Sequence, residues 1–343
     1  MGQRATELKV AVTGGGGFLG RRIVEMLREE GTPVLSISRS RYPELEALEV
    51  ECRQADLSDK SAVRAALEGA DAVIHVAAKA GIWGKRSEFM ATNLTGTENV
   101  LAACDSLGIG RLVYTSSPSV CFDGQDHLNA SNDLPRARRF LSPYPESKAL
   151  AEAMVLEANS PHLATIALRP HLIFGPRDPH LVPRLLESAE RGRLARIGDG
   201  RNLVSLTHVD NAAFAHVCAL RALEPEAACA GQAYFVCNKE SVVLWDWIND
   251  ILERLKRAPV TRSLPLGLAR AAGALCEAAW TLLPLKGEPP MTRFVALQLA
   301  RSHSYDLGPL ERDLGYREKL DMATATAHLV ADLCRPLPTL TAP

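Results

Sequence analysis

Tyr144-Pro145-Glu146-Ser147-Lys148 sets a phenol and an ammonium four residues apart at the start of a helical stretch. Residues at that spacing share a helix face, so both groups can point into one cleft. The pair suits proton exchange at an oxygen that gains or loses charge. A free tyrosine titrates at about 10, and a neighbouring cation favours the phenolate and brings that value toward working pH. The spacing arises often by chance, so the pair needs company. Tyr114-Thr115-Ser116-Ser117-Pro118-Ser119 supplies hydroxyls at the end of an apolar run. Ser117 is the first choice to hold a substrate carbonyl beside the phenol, with Ser116 and Ser119 as alternatives. A third constellation is 13–20, TGGGGFLG, where Gly14, Gly17 and Gly20 join a short apolar segment to a helical one. Such a turn bends tightly and brings backbone close to a diphosphate, which then meets the free N–H groups and positive dipole at the helix start.

A dinucleotide site of this kind usually carries an acid at the end of the second strand for the ribose hydroxyls. Here that end reads Ser36-Ile37-Ser38-Arg39-Ser40-Arg41, without a carboxylate. A small hydroxyl followed by arginine suits a 2′-phosphate, which favours NADP(H) over NAD(H). Asp56, after the third strand, is placed either to accept from an adenine amino group or to start a turn.

The elements that must position these groups follow from the pattern. Strands are predicted at 8–13, 34–38, 50–53, 72–76, 112–115 and 165–168, and helices at 18–30, 59–67, 88–107 and 145–158. Alternation of this kind implies βαβ units and a parallel sheet covered by helices on both faces. Residues 118–143, rich in Asn, Asp, Pro and Gly, read as a long loop. The chain has 343 residues, 39 Lys plus Arg against 40 Asp plus Glu, and a net charge of −1. That balance excludes a nucleic-acid binder, which would carry a basic patch. Eight cysteines without a CxxC pair read as buried small residues in a reducing compartment, not as a zinc site or disulfide frame, and no metal is expected. The start, MGQRATE, lacks the apolar stretch of a signal peptide and matches a myristoylation pattern only loosely. Without an apolar run of membrane-spanning length, the cytoplasm is the expected location.

With these motifs in order, the sequence resembles the extended short-chain dehydrogenase/reductases, and within them the 3β-hydroxysteroid dehydrogenase group. TGGGGFLG (13–20), ADL (55–57), VIHVAA (73–78), YTSSPSV (114–120), YPESK (144–148) and LRPHLIFGPRD (168–178) carry the likeness. RPHLIFGPRDPHLVP and FDGQDHLNA are similar to sterol-4α-carboxylate 3-dehydrogenases; RYPELEAL, AKAGIWG and GEPPMTRF are similar to bacterial 2-alkyl-3-oxoalkanoate reductases. The resemblance implies a Rossmann-like doubly wound domain at 1–170 and 206–238 and a smaller substrate region at 171–205 and 239–343. It implies Ser117, Tyr144 and Lys148 as catalytic triad. The implied cofactor contacts are Gly14, Gly17, Phe18, Leu19, Gly20, Ser38, Arg39, Asp56, Leu57, Ala77, Ala78 and Pro170, besides Tyr144 and Lys148. Asn93 would lie beside the active site, in a proton relay or in helix packing.

The reaction so implied interconverts a secondary hydroxyl and a ketone on a bulky hydrophobic substrate, with NADP(H) favoured and NAD(H) allowed. A sterol comes first and a 2-alkyl-3-keto acid second; both contain a β-hydroxy or β-keto acid unit, and the same residues serve either direction. Arg177, Arg184 and His171 are candidate carboxylate partners, with surface or packing roles preferred. Residues 264–285 are apolar except for Arg270 and Glu277. They suit a buried or interfacial helix pair, core or a lid over a greasy pocket, and allow peripheral membrane contact; a homodimer is also allowed. That segment speaks against a sugar-nucleotide epimerase or dehydratase, which would share fold and triad but hold a polar substrate. A non-catalytic NADP sensor would usually lose the Tyr/Lys pair. Trp83, Trp245, Trp247 and Trp280 are expected in the pocket or the core.

Overall fold

Short apolar runs form the centre of the computed structural model, which describes residues 8–283 and 285–335. The strands are β1 (Val10–Thr13), β2 (Val34–Ser38), β3 (Glu51–Gln54), β4 (Ala72–His75), β5 (Arg111–Thr115), β6 (Ala164–Pro170) and β7 (Gln232–Val236). All pair in parallel, in the order β7-β6-β5-β4-β1-β2-β3. Strands β1, β4 and β6 are buried throughout. A strand covered on both faces needs no polar alternation, which is why VAVT and AVIH read as continuous apolar runs.

Helices cover both faces. Helix α1 (Phe18–Glu29) packs on one side with α5 (Val209–Ala222). Helices α2 (Lys60–Leu67), α3 (Gly96–Leu107) and α4 (Pro143–Glu157) pack on the other. The sheet is thus doubly wound and Rossmann-like. Its order reverses between β1 and β4, and the carboxyl ends of those strands open the crevice where such sheets bind ligands. Register places Thr13, His75 and Tyr114 side by side at that edge.

The structure departs from the sequence pattern in three places. The helix expected at 88–107 is interrupted by a π-helical segment, Met90–Thr95, between Arg86–Phe89 and α3. The loop at 118–143 holds a 3₁₀ turn (Pro118–Cys121) and a strand, His127–Ala130. That strand pairs with His303–Tyr305 in a second sheet of four strands, completed by Leu203–Ser205 and Ser241–Val243. Its partner is distant in sequence, so no local pattern announces it. Residues 264–285 form one helix, Leu266–Leu282, rather than a helix pair; Pro284 lies outside the described residues, as does the MGQRATE start. Trp245 and Trp247 belong to a third core cluster beneath this region, bonded to Leu299 O and Thr326 Oγ1. They are core residues, not pocket wall.

The glycine turn is the tightest joint in the sheet domain. Gly14 has a φ of +71°, and a side chain there would come within 2.9 Å of the Ala77 backbone. A Cβ on Gly20 would lie 2.1 Å from the Gly14 carbonyl oxygen. Gly20→Ala therefore forces α1 off the turn and is expected to cost about 2 kcal/mol or more. Thermal unfolding measures this, and an unchanged midpoint would contradict the packing described.

Candidate active site at the strand ends

The three serines after β5 point to three different tasks. Ser116 is buried and its hydroxyl donates to Glu152 Oε2 at 2.6 Å. Ser117 caps the 3₁₀ turn: its oxygen accepts from Ser119 N at 3.2 Å and lies 2.9 Å from Ser119 Oγ. The bond between the two hydroxyls can run either way, so with Ser119 as its donor the Ser117 hydrogen is left to turn toward another oxygen. Ser119 thus backs Ser117, and Ser116 faces the interior.

Tyr144 and Lys148 lie one turn apart on α4, whose start is set by Pro143 and Pro145. Lys148 is 2% exposed, its ammonium donates to Thr115 O at 2.5 Å, and it stands 4.2 Å from the centre of the Tyr114 ring. Burial pushes the ammonium down to about 7, while Glu152 opposes the shift. Burial likewise raises the Tyr144 phenol, and the Ser117 hydroxyl pulls it back. The lysine charge rests on the end of β5, one helical turn from the phenol.

Beneath this pair lies a buried polar row that sequence reasoning missed. His75 reaches Thr13 Oγ1 at 2.6 Å through Nδ1 and Thr97 Oγ1 at 3.0 Å through Nε2. Burial, together with Lys148, holds its ring neutral, with a pKa of about 3. The available signal was one polar residue inside the apolar run 72–76. Asn93 sits in the π-helical segment with its side-chain oxygen and both amide hydrogens engaged. Its Oδ1 accepts from Lys79 N at 2.7 Å, and its Nδ2 donates to Lys79 O at 3.0 Å and Ser147 Oγ at 2.9 Å. It ties the loop after β4 to the residue beside Lys148, and π-helical turns are often found at functional sites.

Of the cofactor residues named from sequence, the glycines, Ser38, Arg39, Ala77 and Ala78 lie at the ends of β1, β2 and β4 or just beyond them, Asp56 and Leu57 follow β3, and Pro170 ends β6. Helix α1 starts at Gly17 with no side-chain cap and no acid in its first turn. Its first N–H groups are thus available to an anion, and the Gly14 approach to Ala77 closes the cradle. A diphosphate fits this turn. Phe18 is half-buried and Leu19 buried in the core, which leaves only the backbone of Leu19 to face the turn. Ser38 Oγ accepts from Gly16 N at 3.4 Å, and Arg39 and Arg41 are exposed beyond it. A cleft of about 190 Å³ lies here, lined by Ser36, Ser38, Ser40, Arg41, Tyr42 and Arg53 among others. Tyr42 covers Gly16 so closely that a Cβ there would fall 2.1 Å from its ring. Asp56 bonds Ser58 N at 2.9 Å and Ser58 Oγ at 2.7 Å, the turn-forming alternative, with Leu57 buried beside it. Ala77 and Ala78 follow β4, and Pro170 ends β6 in the core.

The carboxylate candidates are engaged elsewhere. Arg177 binds Glu25 through both nitrogens at 2.8 and 2.9 Å, and Arg184 pairs with Glu288 at 3.0 Å. His171 is buried, with Nδ1 donating to Ser205 O at 2.5 Å.

Known proteins resemble the chain in sequence and in fold. Residues 11–266 match the 3-beta hydroxysteroid dehydrogenase/isomerase family. The chain is 46% identical to a 2-alkyl-3-oxoalkanoate reductase of Stenotrophomonas maltophilia, across 94% of this chain and 99% of that protein. It is 34% identical to the decarboxylating sterol-4-alpha-carboxylate 3-dehydrogenase of Mus musculus, across 94% of this chain and 90% of that one. Among solved structures, a short-chain dehydrogenase/reductase superfamily protein from Agrobacterium tumefaciens with bound NAD superposes with a TM-score of 0.73 at 20% identity, covering 95% of this chain and 97% of that one, a likeness of fold. The chain belongs to the 3β-hydroxysteroid dehydrogenase/isomerase family and is an NAD(P)-dependent oxidoreductase of hydroxyl and keto groups.

Proposed function

We propose that the protein reduces a 2-alkyl-3-oxo acid to the 3-hydroxy acid with NADPH, using Ser117, Tyr144 and Lys148. The carrying observation is the strand-end arrangement itself: a buried ammonium of α4 resting on the end of β5, a phenol one turn away on the same helix, and the Ser117 hydroxyl at the same strand end. The likeness to alkyl-oxo acid reductases over nearly their whole length supports the substrate. A second reading, oxidation of a 4-carboxysterol, is supported by the sterol enzymes among the relatives and needs the same residues run backwards.

NAD(P)H, when bound, supplies the hydride. Tyr144 gives a proton to the substrate oxygen, and Ser117 donates a hydrogen bond that fixes that oxygen. Lys148 keeps positive charge at the strand ends, where it favours the phenolate left after transfer and holds the cofactor ribose. In this reading residues 1–170 and 206–238 bind cofactor, and 171–205 and 239–343 bind substrate. Tyr144→Phe removes the proton donor without altering the glycine turn. It should lower kcat about 10²–10⁴-fold and leave the Kd for NADPH within about twofold; normal turnover would contradict the assignment.

NADP(H) preference rests on the exposed arginines and the missing acid at the end of β2. Charge-assisted bonds contribute about 1.5–3 kcal/mol each. The double change Arg39→Ala/Arg41→Ala should therefore raise KM for NADPH about tenfold or more and leave KM for NADH unchanged. Equal effects on both cofactors would contradict it.

The helix Leu266–Leu282 is the proposed entry for a greasy substrate and its contact with lipid. Glu277 is turned inward, 8% exposed, and bound to Arg293, whereas Leu268, Leu275 and Leu282 are 61%, 74% and 81% exposed at seven-residue spacing. The outward face is thus apolar and its charged carboxylate hidden, which suits an interfacial helix. Among the described residues no helix is long and apolar enough to cross a membrane. Leu275→Glu/Leu282→Glu should abolish co-sedimentation with vesicles of phosphatidylglycerol and phosphatidylcholine. Unchanged sedimentation of the variant would contradict this contact.

A further inference from the structure

Glu152 lies one turn beyond Lys148 on α4 and is fully buried. An isolated carboxylate in such a place is strongly disfavoured, yet this one has partners on two neighbouring strands. Arg169 of β6 grips it through Nε at 2.8 Å and Nη2 at 2.7 Å. Ser116, at the end of β5, donates to it at 2.6 Å. Arg136, from the loop before α4, stands 3.7 Å away. The partners are next to groups already assigned a task. Ser116 precedes Ser117, Arg169 precedes Pro170, and Lys148 shares the helix face.

We propose that Glu152 is a positioning residue that locks the helix bearing Tyr144 and Lys148 to the strand ends bearing Ser117 and Pro170, and keeps the Lys148 ammonium charged. The inference rests on the reading of Tyr144 and Lys148 as the reacting pair. A charge in the protein interior shifts a neighbour's ionisation, and Glu152, one turn along α4, is the acid on the same helix face as Lys148. Other groups facing the two are Tyr114 and His75, from β5 and β4, and Tyr144 on α4; Cys121 faces the carboxylate. His75 is neutral and the Tyr114 and Cys121 groups are held protonated by burial, so Glu152 is the negative charge balancing Lys148 from within this set. Its own pairing with Arg169 limits how far that balance reaches, which makes the effect moderate.

Three variants of the NADP(H)-saturated enzyme test the proposal, using the 13Cε resonance of Lys148, assigned by its loss in Lys148→Met, and the pH profile of kcat. Glu152→Gln keeps the shape and removes the charge. It should move the Lys148 titration and the alkaline limb of kcat about one pH unit lower. Glu152→Asp keeps the charge on a shorter arm, so its titration should stay at the native pH while kcat falls. If Glu152→Gln and Glu152→Asp titrate alike, the charge role is overturned, whatever they do to stability. Ser116→Ala leaves carboxylate and arginine in place and so guards against loss of folding in the other two. It should reduce kcat about tenfold, corresponding to about 1.4 kcal/mol, with KM for NADPH unchanged. Native kcat in Ser116→Ala overturns the lock. The NMR titration needs no substrate, so a shift there with no turnover on any 3-oxo acid separates failure of the substrate reading from failure of this one.

Discussion

A buried ammonium is the constraint around which the site is built. Lys148 is nearly inaccessible, and taking such a charge out of water costs several kcal/mol unless polar partners replace the lost hydration. Here the carbonyl at the end of β5 accepts from it, and the face of Tyr114 lies below it. Both partners come from one strand, so the lysine can stay in place only if α4 is held against β5 at a fixed height. The remaining features serve that requirement. The buried ion pair of Glu152 and Arg169 ties α4 to β6, and the Asn93 bonds tie the stretch after β4 to the residue beside Lys148.

That height also decides what the edge of the sheet can do. Parallel strands bring Thr13, His75 and Tyr114 into one row, and the reversal of strand order beside β1 leaves an opening above it. His75 fills the row without charge, since burial and the nearby lysine both oppose its protonation. One positive charge therefore remains at the place where negative charge must develop on a substrate oxygen. At the other end of the opening, the glycine turn presents free N–H groups rather than side chains. A near-neutral chain can hold a polyanion this way, because oriented backbone supplies the positive potential.

Much of this was legible in the sequence because it is local. The glycine turn is legible because Gly14 and Gly20 have no tolerable replacement. The Tyr144/Lys148 pair is legible because one helical turn determines the spacing. The six strands expected from the apolar runs all lie in the central sheet. What escaped depends on distant partners. Strand His127–Ala130 forms against residues some 175 positions away, and the roles of Ser116, Ser117 and Ser119 separate only when Glu152 and the 3₁₀ turn are in place. Asp56 fits an adenine contact or a turn equally well in sequence; only the folded chain shows its Oδ1 making the turn with Ser58. The helix at 266–282 reads as apolar in either case; the inward Glu277 and the exposed leucines show which face is turned outward.

The central claim is that the residues at the strand ends direct hydride transfer between a nicotinamide cofactor and the 3-carbon of a 2-alkyl-3-oxo acid. Isotope transfer tests it most directly. The purified protein is given a 2-alkyl-3-oxo acid with NADPH deuterated at nicotinamide C4, on each face in turn, and the hydroxy acid is analysed by mass spectrometry. The account predicts one deuterium at C3 from one of the two cofactor faces. Hydroxy acid without label from either face, or no hydroxy acid from a protein that binds NADPH, would contradict it.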